Sequence, residues 1–144
     1  MADRRNGAAA ELLAANEGFY RAFAERDFPA MERLWSATAP VACIHPGWNA
    51  LRGRELVIAS WRSILASGDA PRVVCGNATV HVLGPSAFVI CEERVGEAVL
   101  AATNVFVSEQ GVWKLVHHQA AAVAQETFEI LPGAEEEEDS STLN

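Results

Sequence analysis

Two short stretches carry most of the side chains able to do chemistry, Val41-Ala42-Cys43-Ile44-His45-Pro46-Gly47-Trp48 and Trp113-Lys114-Leu115-Val116-His117-His118-Gln119. His45 ends an apolar run and is followed at once by a Pro-Gly turn signal, because proline lacks the donor that would extend a ladder. A neutral imidazole with a pKa near 6.5 titrates where enzymes operate, so His45 reads as a candidate catalytic base or as a hydrogen-bonding group for the turn it precedes. Trp48 then reads as a cavity lid or as a capping side chain. In the second stretch, strand alternation puts Trp113, Leu115, His117 and Gln119 on one face and Lys114, Val116, His118 and Ala120 on the other. The first face begins apolar and ends polar, as the wall of a half-lined ligand cavity would, or a strand leaving the core. His118, on the other parity, is expected on a surface where a second copy packs.

Asn104 interrupts an apolar strand, and a buried amide must be hydrogen-bonded, so it either orients His117 or contacts a ligand. Glu92 and Glu93 point to opposite faces, so at most one enters the pocket, where a carboxylate beside an imidazole would form an acid/base pair. His45, His81 and His117 lack any local metal-ligand spacing, and no metal or cofactor is expected. The chain has neither a glycine-rich phosphate loop nor a Gly-x-Ser-x-Gly elbow.

The elements that must position these groups follow from periodicity. Leu12, Leu13, Phe19, Tyr20 and Phe23 recur at helical spacing over residues 8–26, with Asn16 on the same buried stripe, where a structural bond would satisfy its amide. Asp27 is a good N-cap and Pro29 suits a first turn, so a second helix begins there and buries Met31, Leu34 and Trp35. Gly53 opens a third helix with Val57, Ile58, Trp61, Ile64 and Leu65 inward and Gly68 as a stop. Trp35 and Trp61 fit a core, and both are also candidates to line a ligand site. Residues 73–122 are rich in Val, Ile, Phe, Trp and Thr and are broken at 84–86, at Gly96 and at 108–111, which predicts four antiparallel strands. Helices followed by a curved antiparallel sheet make an α+β fold. The third of these strands is apolar on both faces, so the outer face requires a cover, and a homodimer is expected.

The 144 residues suit one domain, read as an arm at 1–7, a domain at 8–125 and an acidic, disordered tail at 126–144. Of the formal charge of −8, five acids fall in the run 135–139, leaving −3 elsewhere, which suits neither nucleic acid nor an anionic membrane. With no hydrophobic signal core and no span-length apolar run, a cytoplasmic location is expected. Cys43, Cys75 and Cys91 are odd in number, sit in apolar segments and read as buried reduced thiols.

The order of elements, together with Arg26-Asp27-Phe28, Cys43-Ile44-His45-Pro46-Gly47-Trp48, Leu51-Arg52-Gly53-Arg54 and Trp113-Lys114-Leu115-Val116-His117-His118, resembles the nuclear transport factor 2-like superfamily. That group includes ketosteroid isomerase, the SnoaL polyketide cyclases and the association domain of calcium/calmodulin-dependent protein kinase II, and the segment at 41–54 looks most like SnoaL-like proteins. The resemblance implies a cone-shaped, cystatin-like fold of helices on a mixed, mostly antiparallel sheet that dimerises through its outer face. It also implies an internal pocket holding Asn104, His117 and Gln119 with Glu93 beside them. His45 stands where the isomerase has its aspartate base, and the phenol donor of that family falls at Phe19, one residue from Tyr20. Asn104 matches the second oxyanion donor. Two functions are open on this reading. One is acid/base chemistry of isomerase, dehydratase or cyclase type on a small, largely apolar organic ligand. The other is a non-catalytic ligand-binding or oligomerisation module.

Overall fold

The computed structural model describes residues 2–69 and 71–124, with side chains from residue 7 onward. The tail expected at 126–144 lies outside the described residues. Helix α1 (Ala2–Glu25) starts at Ala2, so the segment read as an arm is helical. Its inward stripe, Leu12, Asn16, Phe19 and Tyr20, lies against the sheet. Helix α2 (Phe28–Leu34) begins as expected: the Asp27 carboxylate accepts from the Ala30 amide at 3.1 Å, and Pro29 occupies the first turn, where its missing donor costs nothing. It ends before Trp35, which is extended and bridges to Leu115.

Strand β1 (Ala42–Ile44) pairs antiparallel with β2 (Leu51–Arg52), a two-residue strand that its own length hides from sequence patterns. Helix α3 (Arg54–Ala66) follows directly. Strands β3 (Val74–Leu83), β4 (Ser86–Val95), β5 (Ala98–Glu109) and β6 (Val112–Ala122) form the expected meander. The sheet order is β2-β1-β6-β5-β4-β3, mixed because β1 runs parallel to β6. The α+β prediction therefore holds.

One irregularity decides which residues face the helices. Val105 pairs with His117 but Phe106 pairs with Leu115, so β6 spends two steps where β5 spends one. Such a bulge reverses side-chain parity beyond it. Leu115 faces inward before the bulge, and His118 and Ala120 face inward after it. His117 and Gln119 consequently turn to the opposite face, the reverse of the uninterrupted alternation read from the sequence.

Gly53 has φ +95 and ψ 145, a region open in practice to glycine alone, and it joins β2 to α3 without a residue to spare. Its added Cβ would meet nothing within 4 Å, whereas Gly18 lies within α1 at ordinary helical angles with the same open space. Gly53→Ala is therefore expected to lower the unfolding free energy by about 1–3 kcal/mol through backbone strain alone. Gly18→Ala should raise it by about 0.5–1 kcal/mol. Denaturant titration of both variants checks the pair.

Candidate functional site

The site is built where β1 stops. His45, Pro46, Gly47 and Trp48 form a turn closed by the Trp48 amide donating to the His45 carbonyl at 2.9 Å, with Gly47 at φ +83. Proline second and a positive-φ glycine third define a type II turn. The turn folds Trp48 back over His45, ring centres 4.8 Å apart, and Trp61 from α3 meets the same imidazole at 4.8 Å. His45 is only 4% exposed.

Hydrogen bonding assigns the proton on this ring. The Ser60 hydroxyl donates to the Val57 carbonyl at 2.7 Å, so its oxygen accepts from His45 Nε2–H at 2.9 Å. Nδ1 then carries the lone pair, and the Cys43 sulfur lies 3.9 Å from it and 3.7 Å from Nε2. Burial lowers the His45 pKa to about 4, so the ring is a neutral base at pH 7.

A second network comes from α1, β4, β5 and β6. Asn104 Nδ2 donates to Asn16 Oδ1 at 2.9 Å and to the Tyr20 oxygen at 3.2 Å, which leaves Asn104 Oδ1 to accept from His118 Nδ1 at 2.5 Å. The Tyr20 hydroxyl donates to Glu93 Oε2 at 2.6 Å. His118 Nε2 is thereby unprotonated and lies 3.7 Å from that same carboxyl oxygen. Burial, with lesser contributions from His45 and His117, lowers the His118 pKa to about 3. Burial raises that of Glu93, against the smaller opposing effect of the Tyr20 hydrogen bond. Both shifts favour a neutral imidazole beside a protonated acid.

The two networks border one cleft of about 440 Å³ between the sheet and α3. His45, Trp48, Trp61, Glu93 and His118 line it, and the other walls are apolar, Phe23, Val73 and Leu100 among them. Among the described residues no lysine or arginine contributes to its wall. Tyr20 and Asn104 stand behind the wall and fix Glu93 and His118. Three expected site residues lie elsewhere. Trp35 is buried in the core, because its extended backbone bridges to Leu115 instead of reaching the cleft. His117 faces outward after the bulge and donates from Nδ1 to the Ala42 carbonyl at 3.1 Å, and Gln119 is exposed on that face. His118, expected on the outer surface, takes the inward place, 1% exposed, its ring centre 4.9 Å from that of Phe19. Ser60, a small hydroxyl on the buried face of α3, was the only sequence signal for the group that orients His45. Among the described residues no cluster of three or more His, Cys, Asp or Glu could hold a metal, and no helix is long and apolar enough to cross a membrane.

Residues 12–125 match the SnoaL-like domain family. The chain belongs to that family. Its SnoaL-like domain is similar to the solved structure of a candidate dehydratase of the nuclear transport factor 2-like family from Streptomyces avermitilis. The two are 29% identical with a TM-score of 0.77, covering 84% of this chain and 99% of that one. It is also similar to a candidate calcium/calmodulin-dependent protein kinase type II association domain from Thiobacillus denitrificans, 30% identical with a TM-score of 0.68, covering 76% and 93%. The F-box protein SKIP8 of Arabidopsis thaliana is 26% identical over 114 residues, 78% of this chain, and the match spans 49% of that protein's length. The nuclear transport factor 2-like, cystatin-like fold is thus established.

Two buried neutral histidines in this SnoaL-like domain tie stability to pH. Their folded pKa values lie below the unfolded 6.5, so their contribution is present above pH 6.5 and is lost as the pH falls toward about 4 for His45 and 3 for His118. Glu93 acts in the opposite sense, because its folded value is raised: its contribution is full below about 4.5 and is lost as pH rises through the folded value. Between pH 7 and 5 the histidine contribution to the unfolding free energy should therefore fall, by about 2 kcal/mol for His118 and by less for His45, whose ring borders the open cleft, with Glu93 opposing the loss. Denaturant titration at both pH values checks this, and His45→Gln should flatten the dependence.

Proposed function

We propose that the protein binds a small, uncharged and largely apolar organic molecule in the cleft and performs acid/base chemistry on it, of the dehydratase or isomerase type. The observation that carries this reading is the convergence on one apolar cleft of a neutral imidazole with a free lone pair, His45, and a buried carboxyl with a raised pKa, Glu93. Those are a proton acceptor and a proton donor on one wall, the two halves of an acid/base pair. Among its described residues the wall carries no lysine or arginine, and burial keeps both its histidines neutral, which disfavours carboxylate or phosphate ligands and favours carbonyl and hydroxyl groups. In a dehydration, His45 Nδ1 takes the proton from the carbon next to a carbonyl while Glu93 protonates the departing hydroxyl, releasing water. In an isomerisation, the same base removes the proton and the Glu93 carboxyl donates to the carbonyl oxygen as it gains charge. The 29% identical neighbour described as a candidate dehydratase supports the first.

A non-catalytic module is the second reading, favoured by the 30% identical neighbour described as a candidate kinase association domain and by the outer sheet face. Phe88, Ile90, Val105, Val107 and Val116 lie on that face, with Ile90 44% exposed. A patch of this kind is suited to a second copy of the chain. Light scattering is expected to report twice the 15.5 kDa chain mass at micromolar concentration, and a monomer there would refute the dimer.

Incubation with neutral β-hydroxy carbonyl compounds, followed by mass spectrometry, separates the two functions: consumed ligands indicate an enzyme, ligands recovered unchanged a binder. His45→Gln keeps a donor for Ser60 and removes the base, so binding should survive while turnover falls by about 10² or more. Trp48→Ala should weaken binding without abolishing the reaction. Equal turnover in wild type and His45→Gln would remove His45 from the mechanism.

A further inference from the structure

The polar groups bordering the cleft share a property that goes beyond proton transfer: each presents a lone pair. Ser60 and the Val57 carbonyl fix the His45 proton on Nε2, which leaves Nδ1 an acceptor. Asn104 fixes the His118 proton on Nδ1, which leaves Nε2 an acceptor. Glu93 adds a carboxyl whose Oε2 lies 3.7 Å from His118 Nε2. Three aromatic side chains complete the same wall, Phe23, Trp48 and Trp61. The Trp61 ring centre is 4.8 Å from that of His45 and 5.9 Å from that of His118, so one π system adjoins both imidazoles, and His118 in turn adjoins the carboxyl. Aromatic faces attract cations within about 6 Å of the ring centre. Acceptors and aromatic rings, with no lysine or arginine among the described lining residues, match a ligand that brings hydrogen-bond donors and positive charge.

We propose that the same cleft is a binding site for small organic ammonium ions with an apolar body, held by Glu93 as its carboxylate and by the aromatic wall. The ammonium N–H groups donate to Glu93 and to the imidazole lone pairs, and the body packs on Phe23, Val73 and Leu100. A donor for the charged form of Glu93 is already in place, because the Tyr20 hydroxyl bonds Oε2 at 2.6 Å and stabilises a carboxylate there. Burial raises the Glu93 pKa, and a cation beside the group acts in the opposite direction, its proton passing to solvent. The protein's own groups around Glu93 are Tyr20 from α1, His118 from β6, and the thiols Cys43, Cys75 and Cys91 from β1, β3 and β4. None of these is a fixed cation that would compete with the ligand. Trp48 is 48% exposed, so the cleft is open on that side and a bound ammonium keeps part of its hydration, which limits the desolvation cost of the ion pair. This inference rests on ligand binding in the cleft and is independent of turnover. An ammonium ion that takes Glu93 as carboxylate also removes the proton donor of the acid/base pair, and is therefore an inhibitor of any reaction run there.

Phenethylammonium and propylbenzene share a shape and differ in charge, and phenylacetate supplies the opposite sign, so calorimetric titration of the protein with these three probes tests the site. At pH 7 phenethylammonium is expected to bind at least about tenfold more tightly than propylbenzene, with phenylacetate weakest. Glu93→Gln keeps an acceptor for Tyr20 and should bring the first two affinities together. Should that variant fail to fold, Tyr20→Phe removes the donor to the carboxylate and should weaken phenethylammonium while leaving propylbenzene unchanged. Equal binding of phenethylammonium and propylbenzene by the wild type would overturn the proposal and leave the apolar cleft standing, as would a charge preference that survives in Glu93→Gln. Binding of none of the three would overturn the proposal together with the reading of the cleft as a site for small apolar molecules.

Discussion

A buried amide needs partners for its oxygen and both hydrogens, and the interior of this protein is arranged around meeting that requirement at Asn104. Asn104 is 0% exposed on a strand whose inward neighbours are Ala102 and Phe106. Leaving such a group unpaired costs about 1–3 kcal/mol. Two elements answer it: α1 with Asn16 and Tyr20, and β6 with His118, while Tyr20 passes the chain of donors on to Glu93 of β4. The amide thereby fixes the His118 tautomer, the Tyr20 rotor and the position of the carboxyl.

The same burial that demands those bonds tunes the titrating groups. Removing water penalises charge, so imidazoles are pushed toward neutrality and the carboxyl toward its acid form. A ring of aromatic side chains excludes water at His45, where Trp48 and Trp61 approach it to 4.8 Å. Burial thus disfavours charge on the imidazoles and on the carboxyl that line the cleft.

Rigidity around the site comes from short connections. Gly53 joins β2 to α3, its amide donates to the Val41 carbonyl at 2.9 Å, and Arg54 donates to the Ser36 and Glu32 carbonyls at 3.1 and 2.9 Å. These bonds lock the start of α3 against β1 and α2. Ser60, two turns along that helix, is in consequence held against His45.

Local chemistry in the sequence was enough to determine the helices, the Asp27 cap, the Pro46-Gly47 turn and the meander, because each depends on a side-chain period or on backbone preferences a few residues wide, whereas the inward placing of Asn104 and Glu93 came from the family resemblance. Tyr20 and Asn16 were legible as members of a buried stripe, though not their bonds to β4 and β5. The choice between His117 and His118 was beyond reach, since a single extra residue opposite Val105 and Phe106 inverts the alternation of β6, and nothing in Leu115-Val116-His117 marks a bulge. Trp35 likewise has the composition of a site residue, but a backbone turned extended by its bridge to Leu115 carries it into the core. Strand register and the packing of α1 on the sheet are set by contacts between residues dozens of positions apart. Those contacts, which exist only in the folded chain, decided which imidazole meets the carboxyl.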